Sequence, residues 1–249
     1  MLKNKPSLAV FVLLGFLVMT LHAQEKPNVL FIISDDLTAT ALSSYENKAC
    51  FTPNIDKLAS EGVQYTSAYC QYPVCGPSRA SLMFSYYPHA TKTFGYISGR
   101  ENVGDRKSWS QLFMEKGYKS MRVSKIYHMP VPKGIYLGTN GEDDSLSWDE
   151  RYNSKAPEFQ APGDGELVQN NPDGSKPIAD GNVMTIVKAD GDDYVLSDGK
   201  TARKAIQLIK ENKDRPFFLA VGFVRPHVPF VAPRKYFDAF PWERMAFPI

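Results

Sequence analysis

Cys75-Gly76-Pro77-Ser78-Arg79 is the segment of this chain whose residue types and spacing most plainly suit chemistry. Pro77 suits the first turn of a helix, which puts Cys75 at the helix N-terminus, where backbone N–H groups and the dipole favour an anion. Arg79 follows one turn on, near enough to set a guanidinium beside the side chain of position 75. A nucleophile, an anion-binding helix end and an arginine form a site for an ester of a tetrahedral oxyanion. Asp35-Asp36 closes an apolar run and offers hard carboxylate oxygens. Without further support such a pair reads as solvated carboxylates at a strand end, and a lone histidine, as at His89, His128 or His227, reads as structural.

The elements that must position these residues alternate. Asn28 to Ser34 is a continuous apolar run, the pattern of a central strand in a parallel sheet. Thr52-Pro53 opens a helix that Gly62 closes, and Val63 to Tyr69 reads as a second strand. Trp109 to Lys116 reads as a helix, Tyr118 to Ser124 as a strand, Asp198 to about Asn212 as a helix that Asp198 caps, and Pro216 to Val221 as a buried strand. The alternation predicts an α/β fold. Between Pro130 and Ser197 the periodicity weakens, and acidic Gly-rich clusters such as Gly141-Glu142-Asp143-Asp144 read as solvated turns in an insertion or mobile loop.

Composition excludes several classes. Of 249 residues 43% are hydrophobic and 22% charged, which is globular composition rather than that of a disordered chain. A net charge of +2 gives no electrostatic footprint for nucleic acid. Three cysteines are too few for a disulfide scaffold, although Cys50 and Cys70 could pair in an oxidising compartment. Lys3 and Lys5, the apolar run Leu8 to Leu21 and Ala23 read as a signal peptide over residues 1–23, with the mature chain exported to the periplasm or secreted and without a stable membrane partner.

The cysteine segment resembles the C-x-P-S-R signature of the formylglycine-dependent (type I) sulfatases, and the likeness runs along most of the mature chain. Lys26 to Asp36 is similar to that family's opening strand and metal pair, and Thr52 to Ala59 to its first helix. Lys125-Ile126-Tyr127-His128 and Arg225-Pro226-His227-Val228-Pro229-Phe230 are similar to segments of the iduronate-2-sulfatase-like branch. The resemblance implies an alkaline-phosphatase-like sandwich, a mixed but largely parallel sheet between helices. It implies a sulfuric ester hydrolase whose nucleophile is formylglycine made from Cys75, with Asp35, Asp36 and position 75 on one divalent cation, usually calcium. Arg79 would stabilise the hydrated aldehyde, Lys125 would hold sulfate oxygens, His128 would hydrogen-bond the formylglycine, and His227 would face the sulfate and leaving oxygen. A sulfated sugar or polysaccharide is the implied substrate, and a formylglycine-generating or equivalent enzyme the implied partner. His89, outside these blocks, reads as surface or second layer.

Two departures accompany the likeness. After the signature the family commonly shows Leu-Thr-Gly-Arg, where this chain reads Leu82-Met83-Phe84-Ser85-Tyr86. The family's later Asp-Asn or Asp-His pair and second lysine have no counterpart after the His227 block. Residues 24–249 therefore read as an N-terminal catalytic part without its C-terminal part. Two other functions fit the same residues: a phosphate or phosphonate monoesterase, and a non-catalytic binder of sulfated glycans.

Overall fold

The computed structural model describes residues 26–167, 185–241 and 243. Its main sheet is wholly parallel, in the order β1-β6-β2-β3, with β1 Val29–Ser34, β2 Lys119–Ser124, β3 Glu150–Tyr152 and β6 Phe217–Phe223. Strand β6 sits between β1 and β2, and its residues 217–222 are buried. Phe218 and Ala220 join one core with Met83, Phe84, Tyr127 and Trp148. Phe217, Leu219 and Val221 join another with Met121, Val123, Ala205 and Leu208. That period-two division over an unbroken apolar run is what a strand covered on both faces produces.

The covering helices follow from their own patterns. Helix α1 (Pro53–Glu61) begins with proline, and α2 (Cys75–Phe84) and the short α3 (Pro88–Thr91) follow it. Helix α4 (Trp109–Glu115) starts at a capping box, with Ser108 and Gln111 satisfying each other's backbone N–H groups. A short α5 covers Lys133–Leu137. Helix α6 (Ser197–Glu211) buries Ser197, Thr201, Ala205 and Leu208, one stripe at helical spacing, and α7 covers Arg234–Ala239. Helices α2 and α4 supply one face and α6 the other, which is the expected α/β sandwich. A second sheet, ordered β4-β5-β7 (Gly163–Leu167, Thr185–Ala189, Phe230–Pro233), pairs antiparallel then parallel, so the fold as a whole is mixed.

Three expectations need correction. Val63 to Tyr69 forms no strand: Val63, Tyr65 and Tyr69 are strongly exposed, and no neighbouring strand offers a ladder. The 130–197 region is not a loop throughout its described part, since it carries β3, β4, β5 and α5. Its cluster at 141–144 is no solvated turn either, because Asp143 and Asp144 are buried against Arg122 and Arg100. The cluster at 171–174 and the signal segment 1–23 lie outside the described residues. No helix among the described residues is long and apolar enough to cross a membrane.

Candidate active site

The C-terminal end of β1, the start of α2 and the turn after β6 line one cleft of about 550 Å³, whose walls include Asp35, Asp36, Cys75, Arg79, Tyr96 and His227. Ligand sites in open α/β sheets form at such strand ends. Helix α2 begins at Cys75, as the sequence predicts, and no side chain caps it. Gly76 is required there, because a Cβ would stand 2.3 Å from the carbonyl oxygen of Gly95. That close approach brings Tyr96 over His128, with ring centroids 4.4 Å apart and planes 26° from parallel. His128 Nδ1 in turn lies 3.2 Å from Cys75 Sγ.

Asp35 is the electrostatic centre. It leaves β1 with its N–H donated to Phe223 (3.0 Å), and its side chain is 5% exposed. Arg79 Nη2 donates to its Oδ1 at 2.8 Å, Lys125 Nζ stands 2.6 Å from Oδ2, and His227 Nε2 is 4.0 Å from Oδ2. Burial pushes the Asp35 carboxyl up, but the Arg79 and Lys125 charges outweigh it and hold the group at about 2. Asp36 follows in a left-handed conformation (φ 65°) and is exposed at the cleft wall.

The guanidinium of Arg79 is committed more widely than spacing suggests. Besides Asp35 it donates to the carbonyls of Lys125 (2.6 Å) and Ile126 (2.8 Å), so it ties β1, α2 and the turn after β2 together. That turn carries Lys125 and His128, both buried and outside the cleft walls. It crosses over β6 at Gly222, where any Cβ would lie 2.0 Å from the Lys125 carbonyl oxygen. Burial lowers the Lys125 ammonium against the pull of Asp35. Burial also lowers His128, with Lys125 and Arg79 adding to it, to about 4, so its imidazole is neutral at pH 7.

His227 sits in the turn after β6, its N–H bonded to the Val224 carbonyl. Its Nδ1 lies 2.6 Å from the Val228 carbonyl oxygen, an acceptor, so Nδ1 carries the proton and Nε2 faces the Asp35 side. Burial, then Lys125, lowers its pKa. His89 stacks on Tyr87 away from these groups, and Cys50 and Cys70 are both free thiols, Cys70 at the cleft wall.

The fit to a divalent cation can be judged from the donors. Asp35 Oδ2 is buried and makes no well-directed hydrogen bond even with Lys125 beside it, and Asp36 adds further carboxylate oxygens at the cleft wall. The chemistry suits a hard cation. The number is short: among the described residues no three His, Cys, Asp or Glu side chains gather as a metal group, whereas calcium takes roughly six to eight oxygens.

Sequence reading brings Asp35, Asp36, Cys75, Arg79, Lys125, His128 and His227 to this one region of the molecule. It missed Tyr96 and Gly222, whose roles are contacts between segments distant in the chain. The one local signal was the Gly76 of the cysteine segment itself.

Comparisons with known proteins agree with the geometry. The family model described as Sulfatase matches residues 27–244. A sulfatase of Formosa agariphila is 30% identical over 96% of this chain and 48% of its own length. Human iduronate 2-sulfatase is 32% identical over 95% of this chain and 42% of its own. The chain thus spans under half the length of these curated relatives. Among solved structures, BT4656 in complex with its substrate D-glucosamine-2-N,6-O-disulfate aligns at TM-score 0.58 with 20% identity, covering 90% of this chain and 39% of that one. The phosphonate monoester hydrolase of Agrobacterium radiobacter aligns at 0.55 with 20% identity, over 85% and 43%. Matched over most of its length by the family model and by these relatives, iduronate 2-sulfatases among them, the chain belongs to the sulfatase family.

Proposed function

We propose that this chain carries the N-terminal catalytic part, residues 24–249, of an exported sulfuric ester hydrolase that releases inorganic sulfate from a sulfated carbohydrate. The observation that carries the reading is the convergence of Cys75, Arg79, Lys125, His128 and His227 around Asp35 at the ends of three parallel strands. The sulfated sugar enters through BT4656 and its disulfated glucosamine, and an oligosaccharide through a second aligned structure, i-CgsB with k-i-k-neocarrahexaose (TM-score 0.58). Export to the periplasm or beyond follows the signal segment in the sequence.

Asp35, Asp36 and position 75 would hold one divalent cation, taken as calcium, which supplies Lewis-acid polarisation of a sulfate oxygen when bound. Converted to formylglycine by a modifying enzyme, position 75 supplies a hydrated aldehyde with two hydroxyls, one to attack sulfur and one whose deprotonation expels sulfate. The chain's own residues do the rest. Arg79 fixes Asp35 and the Lys125–Ile126 backbone, so the anionic and cationic groups stay in register. Lys125 places positive charge where sulfate oxygens gather. Neutral His128, stacked under Tyr96, presents Nδ1 to position 75 and is suited to accept a proton from it. Neutral His227 directs Nε2 toward the cleft, on the side of the departing oxygen.

The test is full-length protein made together with a formylglycine-generating enzyme. The peptide bearing position 75 should lose sulfur and two hydrogens and gain oxygen, and the protein should release sulfate from an aryl sulfate faster than phosphate from the matched aryl phosphate. Faster phosphate release would assign it to the monoesterases, whose fold it shares in the Agrobacterium enzyme. Tight binding of sulfated sugar without turnover, after confirmed conversion, would make it a binder.

A further inference from the structure

The sequence reads Asp198 as a helix cap, and the structure gives it a different task. Leu196 occupies the cap position of α6, and the half-buried Asp198 turns its carboxylate to the chain leaving β6. Its Oδ1 accepts the N–H of Val224 at 2.8 Å and its Oδ2 the N–H of Arg225 at 2.9 Å. These are the first two residues after β6, at the root of the turn that carries His227. Burial raises the Asp198 carboxyl, opposed by both N–H bonds and by Arg225.

Arg225 then braces the turn from within. It donates Nη1 to the His227 carbonyl (2.7 Å) and Nε to the Val231 carbonyl (3.1 Å), which spans the loop from its middle to β7. Its Nη2 pairs with Glu158, a carboxylate with no exposed surface, which also receives the N–H of Ser197 at 3.4 Å. A half-buried carboxylate and an ion pair whose Glu158 is fully buried are thus committed to one short backbone segment. An unbonded buried charge is costly, so such a network holds one geometry or fails as a whole. The one catalytic-type side chain in the segment it braces is His227.

We propose that Asp198 and Glu158, the latter through Arg225, are positioning residues for His227, setting where Nε2 stands in the cleft. Neither Asp198 nor Glu158 lines the cleft. Their effect on turnover therefore passes through the imidazole. This rests on the reading of the cleft as a sulfate-ester site, but its structural half does not.

Two readouts separate the claims. Full-length, converted protein with Asp198→Asn should turn over an aryl sulfate about tenfold to a hundredfold more slowly, the scale expected for a misplaced catalytic group, with KM within about twofold. In a His227→Ala background the same substitution should change kcat by less than about twofold, because residues acting as a unit are not additive. Equal losses in both backgrounds would overturn the proposal. The second readout needs no turnover. In full-length protein the His227 ring nitrogens are assigned by 15N NMR as the signals that His227→Ala removes. Asp198→Asn should abolish the Nδ1-protonated signature of His227 and leave His89 unchanged. An unaltered His227 signal in folded variant overturns the proposal whether or not the protein hydrolyses sulfate. Should Asp198→Asn unfold, Glu158→Gln, which leaves both N–H bonds of Asp198 in place, is read the same way.

Discussion

Asp35 meets Arg79, Lys125 and His227 within 4.0 Å, and the chemistry of the cleft turns on how those groups are held. Arg79 makes three buried hydrogen bonds to two different segments. A lysine keeps the charge but lacks the planar fork that spans them. Arg79→Lys should therefore cost about 2–4 kcal/mol in urea unfolding, and an unchanged midpoint would contradict the bridge. Gly222→Ala would force a methyl against the Lys125 carbonyl, so we expect a loss of about 2 kcal/mol or more, together with loss of turnover. A variant with wild-type stability would show that the turn can shift. Cys75, Arg79 and the Asp pair were legible because their spacing is local, one helix turn or two adjacent residues. Tyr96 and Gly222 were not, since nothing near them in sequence marks a ring or a carbonyl arriving from another segment.

Elements place these residues through buried polar ties as much as through apolar packing. Arg122, in the middle of β2, is 1% exposed and donates to Asp143, Asn140, Asn153 and the Ser124 carbonyl. It thereby fastens residues 140–153 beside the turn carrying His128, whose carbonyl accepts the Glu142 N–H at 2.8 Å. Arg122→Met leaves Asp143 buried with only the Trp148 indole N–H (3.2 Å) and the longer Arg151 contact (3.4 Å), and should cost about 3–5 kcal/mol. Thermal unfolding within error of wild type would refute this. The strands β1, β2 and β6 and the helices α2, α4 and α6 were readable from apolar runs and caps. The acidic turn at 141–144 was misread as solvated because its partners, Arg122 and Arg100, lie 21 and 44 residues away. Val63 to Tyr69 has strand-like residues, but β-propensity acts only where a neighbouring strand offers pairing.

On the scale of the whole molecule, the main sheet ends at β1, whose Leu30 and Ile32 are 47% and 52% exposed. Ile55, Leu58 and Val63 are exposed as well. Apolar residues along a sheet edge promote association. Residues 24–249 produced alone should self-associate in a light-scattering measurement as concentration rises, and a monodisperse monomer would contradict this. The central claim is that position 75 is the nucleophile of a sulfate ester hydrolase. Its most direct test is inorganic sulfate released from an aryl sulfate by full-length protein made with a formylglycine-generating enzyme, beside its Cys75→Ala counterpart. The account predicts turnover that Cys75→Ala abolishes without lowering the melting temperature. Equal sulfate release by both proteins, or none from a protein shown to be converted, would contradict it.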